Sequence, residues 1–487
     1  MAIKKEKKKV KYRYLSILLL FISIIFLIVI NVLNIFPFKY LFFELLLFLF
    51  ELFLVYKLNH KTFVITKMIT TFISVILIII QVIIIVYLFN TFDFINVIFD
   101  KGNDYDKYGV YVISDEYQDI NDLNNKNILI YKDERLEEIK KELDTKIKYK
   151  SKQESDIEDL LNDLKDNKYD AIIIKDNLLD LYGELDTDLK KIYTIKIKIK
   201  KDTSYKEVNV KKEAFAIYIS GIDSKGSISE LSRSDVNILG IVNPIKKDIL
   251  VINTPRDYYV ELYSKKKMDK ITHAGIYGIG ESAKTLGNFY DVDVNYYIRF
   301  NFSSFLNIID EIGGITVDVE KPDYRYNLDI DCGKGYVCEQ NSDREFGDKL
   351  IKFKYGLQTL NAEEALAYAR NRHQYAASDN ARQYHQQQVI KAVLEKPQDK
   401  KMILKYNRLL KVLSSGVKTN IDQKTISSLI NMQLKNNDSW NINMMVAKGT
   451  DAYNVCYSTG NLKGYVMEPD IESVNEIKNK IKEVMAN

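Results

Sequence analysis

The pattern of apolar and polar positions divides the chain into regions of different texture. Tyr14 to Phe38 and Met68 to Phe92 contain no charged residue. Each is long enough, as helix, to cross a hydrocarbon layer of roughly 30 Å. Between them, Tyr40 to Tyr56 is apolar except for Glu44 and Glu51, whose spacing of seven puts them on one helical face. The expectation is three transmembrane helices within residues 1–92, with the two Glu lining a helix contact. A cleaved signal peptide fits poorly, because no small-residue cleavage site follows the first apolar stretch. KKEKKKVKYR precedes the first span, and Lys57, Lys61 and Lys67 lie between the second and third, whereas Lys39 stands alone between the first and second. The basic residues therefore predict a cytoplasmic N-terminus and an extracellular remainder in a multi-pass protein of the cell membrane.

Residues 93–108 read as a linker. From 109 to 200 the chain alternates GVYVI, NILIY, ERLEEIKKEL, KIKYK, SDIEDLLNDLKDNK and YDAIIIK. This β-β-α-β-α-β order predicts a small α/β accessory domain with a largely parallel sheet. By pattern it resembles one lobe of a bacterial solute-binding protein. Residues 195–213 read as a polar strand and connector. FAIYISGID, VNILGIV and DILVINTPRD then read as buried strands, and helices are expected at 281–289, 302–312, 361–369 and 381–395. Residues 213–397 thus form a second α/β domain with a central mixed sheet. The remainder, 398–487, reads as a C-terminal helical extension built on MILKYNRLLKVL, TISSLINMQL and SVNEIKNKIKEVMAN.

Composition adds little to this division. A net charge of +4 over 487 residues gives no electrostatic case for nucleic acid. Three Cys are too few for a disulfide framework and lack zinc-site spacing. Cys332 and Cys338 bracket DCGKGYVC and, outside the membrane, are expected to close a short disulfide loop.

The candidate chemistry lies at strand ends, where α/β folds place their sites. Asp223 follows the first strand of the second domain, Arg233-Ser234-Asp235 leads into the next, and Pro255-Arg256-Asp257 follows the third. Further on, YARNRHQYAASDNARQYHQQQ (368–388) concentrates Arg370, Arg372, Asp379, Arg382 and Gln386. Arg370 and Arg372 would diverge by about 200° on a helix but point the same way in an extended segment. The helix NAEEALAYA is therefore expected to end near Ala369, with Asn361 and Glu364 as its capping box. Asp379 fits a helix cap, and Arg382, Gln386, Val389 and Val393 share one face of the next helix. Guanidinium groups bind phosphate bidentately, and carboxylates sit beside phosphate when a divalent cation lies between them. The set points to a pyrophosphate with a bound metal; a structural Arg–Asp network is the alternative.

These segments, together with DKITHAG (269–275), LGNFYDVDVNYYIRFNFSSFLNIIDEIGGITVDVEKP (286–322) and LNAEEALAYARNRH (360–373), resemble the LytR-CpsA-Psr family of Gram-positive cell-wall biogenesis. The resemblance implies a membrane-anchored extracellular phosphotransferase. It would move an anionic glycopolymer, such as teichoic acid or capsule, from a polyprenyl-pyrophosphate carrier to peptidoglycan, forming a phosphodiester. A pyrophosphatase that releases polymer and a non-enzymatic envelope regulator are the alternatives. The resemblance implies Mg²⁺ or Mn²⁺ on Asp223 and Asp235, and pyrophosphate contacts from Arg233, Arg256, Arg370, Arg372, Arg382 and Gln386. Asp235, Arg256, Arg370 and Arg372 would be catalytic, with Asp257 and Asp379 in support. Asp235 and Asp257 are both candidate bases. It also implies an apolar lipid channel; NFSSFLNII and NILGIV either contribute to it or are ordinary core, which sequence alone does not separate. His385 stands where the family usually has Arg, and Val236 where it often has Thr. At His385 the expectation is a lower fixed charge and a pH-dependent phosphate affinity.

Overall fold

The structure is a computed structural model that describes residues 2–33, 38–60, 63–99, 104–182, 188–199, 205–222, 228–321, 336–341, 349–371, 375, 379–395, 408, 410–414, 416–436 and 440–486. Helices α1 (Ala2–Leu33), α2 (Phe38–Asn59) and α3 (Val64–Phe99) open the chain. Among the described residues two helical segments are long and apolar enough to cross a membrane, Tyr12–Val32 and Val64–Phe99. The charges of Lys39, Glu44, Glu51 and Lys57 set α2 apart from them. Glu44 and Glu51 are buried between the helices, and Gln81 Nε2 donates to Glu51 Oε1 at 2.8 Å. That places Glu51 at a helix contact, as its spacing predicts.

A five-stranded sheet follows, formed by β1 (Tyr105–Val112), β2 (Asn127–Tyr131), β3 (Lys150–Glu154), β4 (Ala171–Lys175) and β5 (Lys190–Lys198) in the order β3-β2-β4-β1-β5. Helices α4 (Leu136–Asp144) and α5 (Ile157–Lys165) each bury one apolar stripe, on opposite faces of the sheet. The sheet is mixed, not largely parallel. β2 runs parallel to β3 and β4, but β1 runs antiparallel to β4 and β5. Two placements make the difference: β1 inserts antiparallel beside β4, and β5 comes from KKIYTIKIK, a stretch too polar to read as part of a core. It pairs along one edge of β1 and keeps its charged positions outward.

The main sheet has six strands in the order β16-β11-β6-β7-β8-β17. Its centre is β6 (Phe215–Ile222), β7 (Val236–Asn243), β8 (Asp248–Thr254) and β11 (Val294–Asn301). Shorter strands lie between and after these, including β9 (Tyr259–Glu261), β10 (Met268–Lys270), β12 (Ile315–Val319), β13 (Tyr336–Asn341), β14 (Lys349–Lys354) and β15 (Gly356–Leu360). Because strand side chains alternate, the sheet feeds two cores. Leu239, Ile241, Leu250 and Ile252 pack with α8 (Ile279–Phe289) and the last helix, Ile471–Met485. Val236 and Ile238 pack with α10 (Ala362–Arg370) and with Val389 of α11 (Asp379–Glu395).

Residues 398–487 are not a helical extension. They supply both edge strands of the main sheet, β16 (Val417–Thr419) antiparallel to β11 and β17 (Asn441–Val446) parallel to β8, and then a hairpin of β18 (Gly449–Val455) and β19 (Lys463–Pro469). Three- and six-residue strands leave little local signal. Their hydrogen-bond partners lie more than a hundred residues earlier, so pairing rather than propensity makes them strands.

Candidate functional site

Strand direction alone brings three of the motif clusters to one edge. β6 and β8 both run antiparallel to β7, with Gly221 opposite Val236 and Asn237 opposite Thr254. The ends of β6 and β8 therefore lie beside the start of β7. Asp223 falls just past β6 but outside the described residues. Asp235 stands at the entry to β7, its N–H donating to Gly221 O at 2.8 Å. Arg256 and Asp257 follow β8 directly.

Here the side chains form a chain of ion pairs. Arg256 Nη1 meets Asp235 Oδ1 at 2.6 Å, Arg256 Nε meets Asp257 Oδ2 at 3.3 Å, and Lys270 Nζ meets Asp257 Oδ1 at 3.0 Å. Asp257 is buried. Burial opposes its ionisation, but Arg256, Lys270 and, more remotely, Arg382 outweigh burial and hold its carboxyl below the usual range. An acid so stabilised as carboxylate is a poor proton acceptor. Arg233 is exposed at the same edge, and Arg382 is half-buried on α11.

α10 begins with the expected capping box, Asn361 and Glu364 exchanging side-chain bonds to each other's backbone N–H. It ends at Arg370, after which Asn371 is extended. Asn371 O pairs with His385 Nδ1 at 3.1 Å, which ties the residue after Arg370 to α11 one turn beyond Arg382. Gln386 and Val389 are buried on the same face. Arg372 lies outside the described residues, as does the side chain of Asp379, which opens α11. The candidate disulfide is also outside them, through Cys332 and the side chain of Cys338.

His385 departs from its expected behaviour. It is fully buried, packed against Tyr368 and Tyr375 with ring centroids 4.4 and 4.7 Å away. Burial lowers its pKa to about 4 despite the backbone bond to Asn371. The imidazole is therefore neutral throughout the physiological range and does not make anion affinity pH dependent there.

The residues of DKITHAG, to which nothing local in the sequence assigns a role, brace this edge. Besides Lys270 on Asp257, Thr272 accepts from Ser234 N–H at 3.0 Å and donates its own N–H to Arg256 O at 2.9 Å. Both motif loops thus hang on one residue. Lys270 was hidden among a very Lys-rich composition. Asp269, His273 and Cys456 bring potential ligand atoms within 4.8 Å of one another. Asp269 is already saturated, however. Oδ1 takes His273 Nδ1 at 2.6 Å and Lys270 N at 2.7 Å, and Oδ2 takes both the N–H and the hydroxyl of Ser458. Burial, foremost, raises the Cys456 thiol to about 12. The trio is a hydrogen-bonded lock between this segment and the chain's last ninety residues, not a metal centre.

Arg256 and Lys270 thus pair with the carboxylates of Asp235 and Asp257, Arg233 stands exposed beside them, Arg382 lies close enough to bear on the charge of Asp257, and Arg370 closes α10. Guanidinium and ammonium groups in excess over carboxylates are the chemistry that suits a multiply charged anion.

The chain matches known proteins over the same region. Two Bacillus proteins named polyisoprenyl-teichoic acid–peptidoglycan teichoic acid transferase TagU, from B. licheniformis and B. subtilis, are each 34% identical to it over 210 and 218 residues. The matches cover 43% and 44% of this chain and 60% and 63% of those proteins. The chain therefore spans about three-fifths of the length of these relatives. The crystal structure of B. subtilis TagV aligns at 28% identity with a TM-score of 0.42, over 56% of this chain and 98% of that one. The model of the LytR_cpsA_psr family matches residues 182–483, which takes in the site, its brace and both edge strands from the tail: the chain belongs to the LytR_cpsA_psr family.

Proposed function

We propose that this protein transfers an anionic glycopolymer from a polyprenyl-pyrophosphate carrier to peptidoglycan. The observation that carries the reading is the Asp235–Arg256–Asp257–Lys270 chain at the strand edge, with Arg233, Arg370 and Arg382 from flanking segments. Its excess positive charge suits a pyrophosphate. In the reaction, an acceptor sugar hydroxyl attacks the phosphorus next to the polymer. The bond from that phosphorus to the bridging oxygen breaks, and lipid monophosphate leaves, its freed oxygen taking up the proton lost by the hydroxyl. The Arg set orients the pyrophosphate and stabilises charge that grows in the transition state, which is the dominant contribution in phosphoryl transfer. Asp257 acts as a support for Arg256 and Lys270 rather than as the base. Arg256 holds Asp235 Oδ1, and among the described residues no partner meets Oδ2, a donor arrangement that fits Mg²⁺ or Mn²⁺. Asp235 and Asp223 would hold the ion, which would neutralise phosphate oxygens.

The same reading takes α2 as a third membrane crossing, which places the domains after α3 outside the cell. The five-stranded unit is then an accessory domain between anchor and catalytic sheet. Reconstituted full-length protein, given lipid-pyrophosphate-linked polymer and peptidoglycan, is expected to form a covalent adduct that needs divalent cation. Arg256→Ala should lower the rate by at least a hundredfold. Undiminished transfer by Arg256→Ala would overturn the assignment of the site.

A further inference from the structure

Residues 228–232 lead directly into Arg233-Ser234-Asp235, and the five-stranded unit holds them from outside the main sheet. Tyr105, the first residue of β1, donates its N–H to Ser229 O at 3.3 Å and bridges to Glu230 in parallel. Its hydroxyl donates to Glu230 Oε1 at 3.1 Å, and Lys107 Nζ pairs with the same oxygen at 2.6 Å. From the end of β4, Asn177 Nδ2 donates to Leu231 O at 3.1 Å. The main domain grips the same run from within. Arg299, only 2% exposed, donates Nη2 to Glu230 O at 2.8 Å and Ser232 Oγ at 3.2 Å. Ser234 and Asp235 are then fixed through Thr272 O and Gly221 O.

Between Ser229 and Asp235, six of seven residues are thus anchored, and Arg233 is the exposed one. An exposed Arg between anchored neighbours is aimed by its backbone. Half of that anchoring comes from a unit outside the catalytic sheet, through a residue only six positions beyond the end of α3. Asp104, just before it, is itself pinned by Lys418 of β16 at 2.6 Å.

We infer that the five-stranded unit is a positioning device for the candidate site: Tyr105, Lys107 and Asn177 hold Ser229–Leu231 so that Arg233 and Asp235 meet an anionic phosphate substrate. This rests on the reading of Arg233 and Asp235 as site residues. Loosening the grip leaves the loop ordered in only a fraction of molecules, and apparent affinity falls by that fraction.

The test uses full-length protein in detergent and two readouts: hydrogen exchange over residues 228–236, and binding of geranylgeranyl pyrophosphate with Mg²⁺. Tyr105→Phe/Lys107→Met/Asn177→Ala is expected to speed exchange in that segment alone and to weaken binding about tenfold, with the melting temperature of the main transition kept. Asn177→Ala alone, which removes no charge, should move both readouts the same way by less. Glu230→Gln keeps an acceptor for Tyr105 and should retain most of the affinity. Unchanged exchange and affinity in the triple variant, alongside lost binding in Arg256→Ala, would overturn the positioning role and leave the site reading standing. Unchanged affinity in Arg256→Ala as well would overturn both, while the exchange data still report whether the grip exists.

Discussion

At His385, burial decides between two opposite expectations. Its letter promised a titrating group beside Arg382; its packing against Tyr368 and Tyr375 makes it a neutral ring. The consequence appears in stability. The folded-state pKa, about 4, lies below the ordinary His value of 6.5, so the unfolded chain binds more protons between these limits. Stability is therefore full above pH 6.5 and falls as pH drops toward 4, by ~2 kcal/mol already at pH 5. His385→Phe keeps an aromatic ring and removes the titration. Denaturant unfolding of the variant should be flatter than wild type across pH 6.5 to 5. Equal slopes, or an imidazole that titrates near 6.5 by NMR, would show that the ring is not buried as described. Motif spacing made Arg256, Asp257 and Asp235 legible from the sequence, because each adjoins an apolar run. Lys270 and the neutrality of His385 were not legible, since partner distance and burial are properties of the folded neighbourhood.

At the scale of elements, the helices of the second domain were readable because their signals are local. The capping box at Asn361 and the shared face of Arg382, Gln386, Val389 and Val393, polar at one end and apolar at the other, are written within a few turns. The brace around α7 (Ile271–Ala274) is not local, because its value lies in what passes beside it. Gly275 follows that helix with a backbone any residue adopts. Yet a Cβ there would stand 2.5 Å from Ser232 O and 2.9 Å from Ser234 N. Those atoms belong to the backbone of the loop that carries Arg233 and Asp235, so they yield only if the loop moves. Gly275→Ala should therefore cost about 1–3 kcal/mol of stability, as overpacking does, and reduce transfer more than Gly278→Ser. At Gly278 a Cβ meets nothing within 4 Å, although its φ of +119° adds strain. Equal transfer rates for Gly275→Ala and wild type would separate this close approach from the site.

For the whole molecule, sequence and structure differ most over residues 398–487, which are part of the main sheet and not an appendage to it. Helix periodicity in the last fifteen residues is plain, but nothing local says that they roof a sheet begun two hundred and fifty residues earlier. The structure makes the tail integral in three ways. β17 closes the β8 edge over the full register Asn441–Val446. Val474, Ile477, Ile481 and Val484 are buried in the core under β7 and β8. Ser458 satisfies the buried carboxylate of Asp269. An extension could be removed without loss, whereas a sheet edge and half a core cannot. Truncation after residue 436 strips the roof from Leu239, Ile241, Leu250 and Ile252 and leaves one edge of β8 unpaired. The truncated protein should therefore keep its N-terminal helices but expose a protease-sensitive, aggregation-prone main domain. The milder Ile477→Ala keeps the strand pairing and tests the roof alone. It should cost about 2–5 kcal/mol, read as a lower denaturant midpoint at unchanged slope. A truncated protein with wild-type protease resistance would mean that the main sheet closes without its tail.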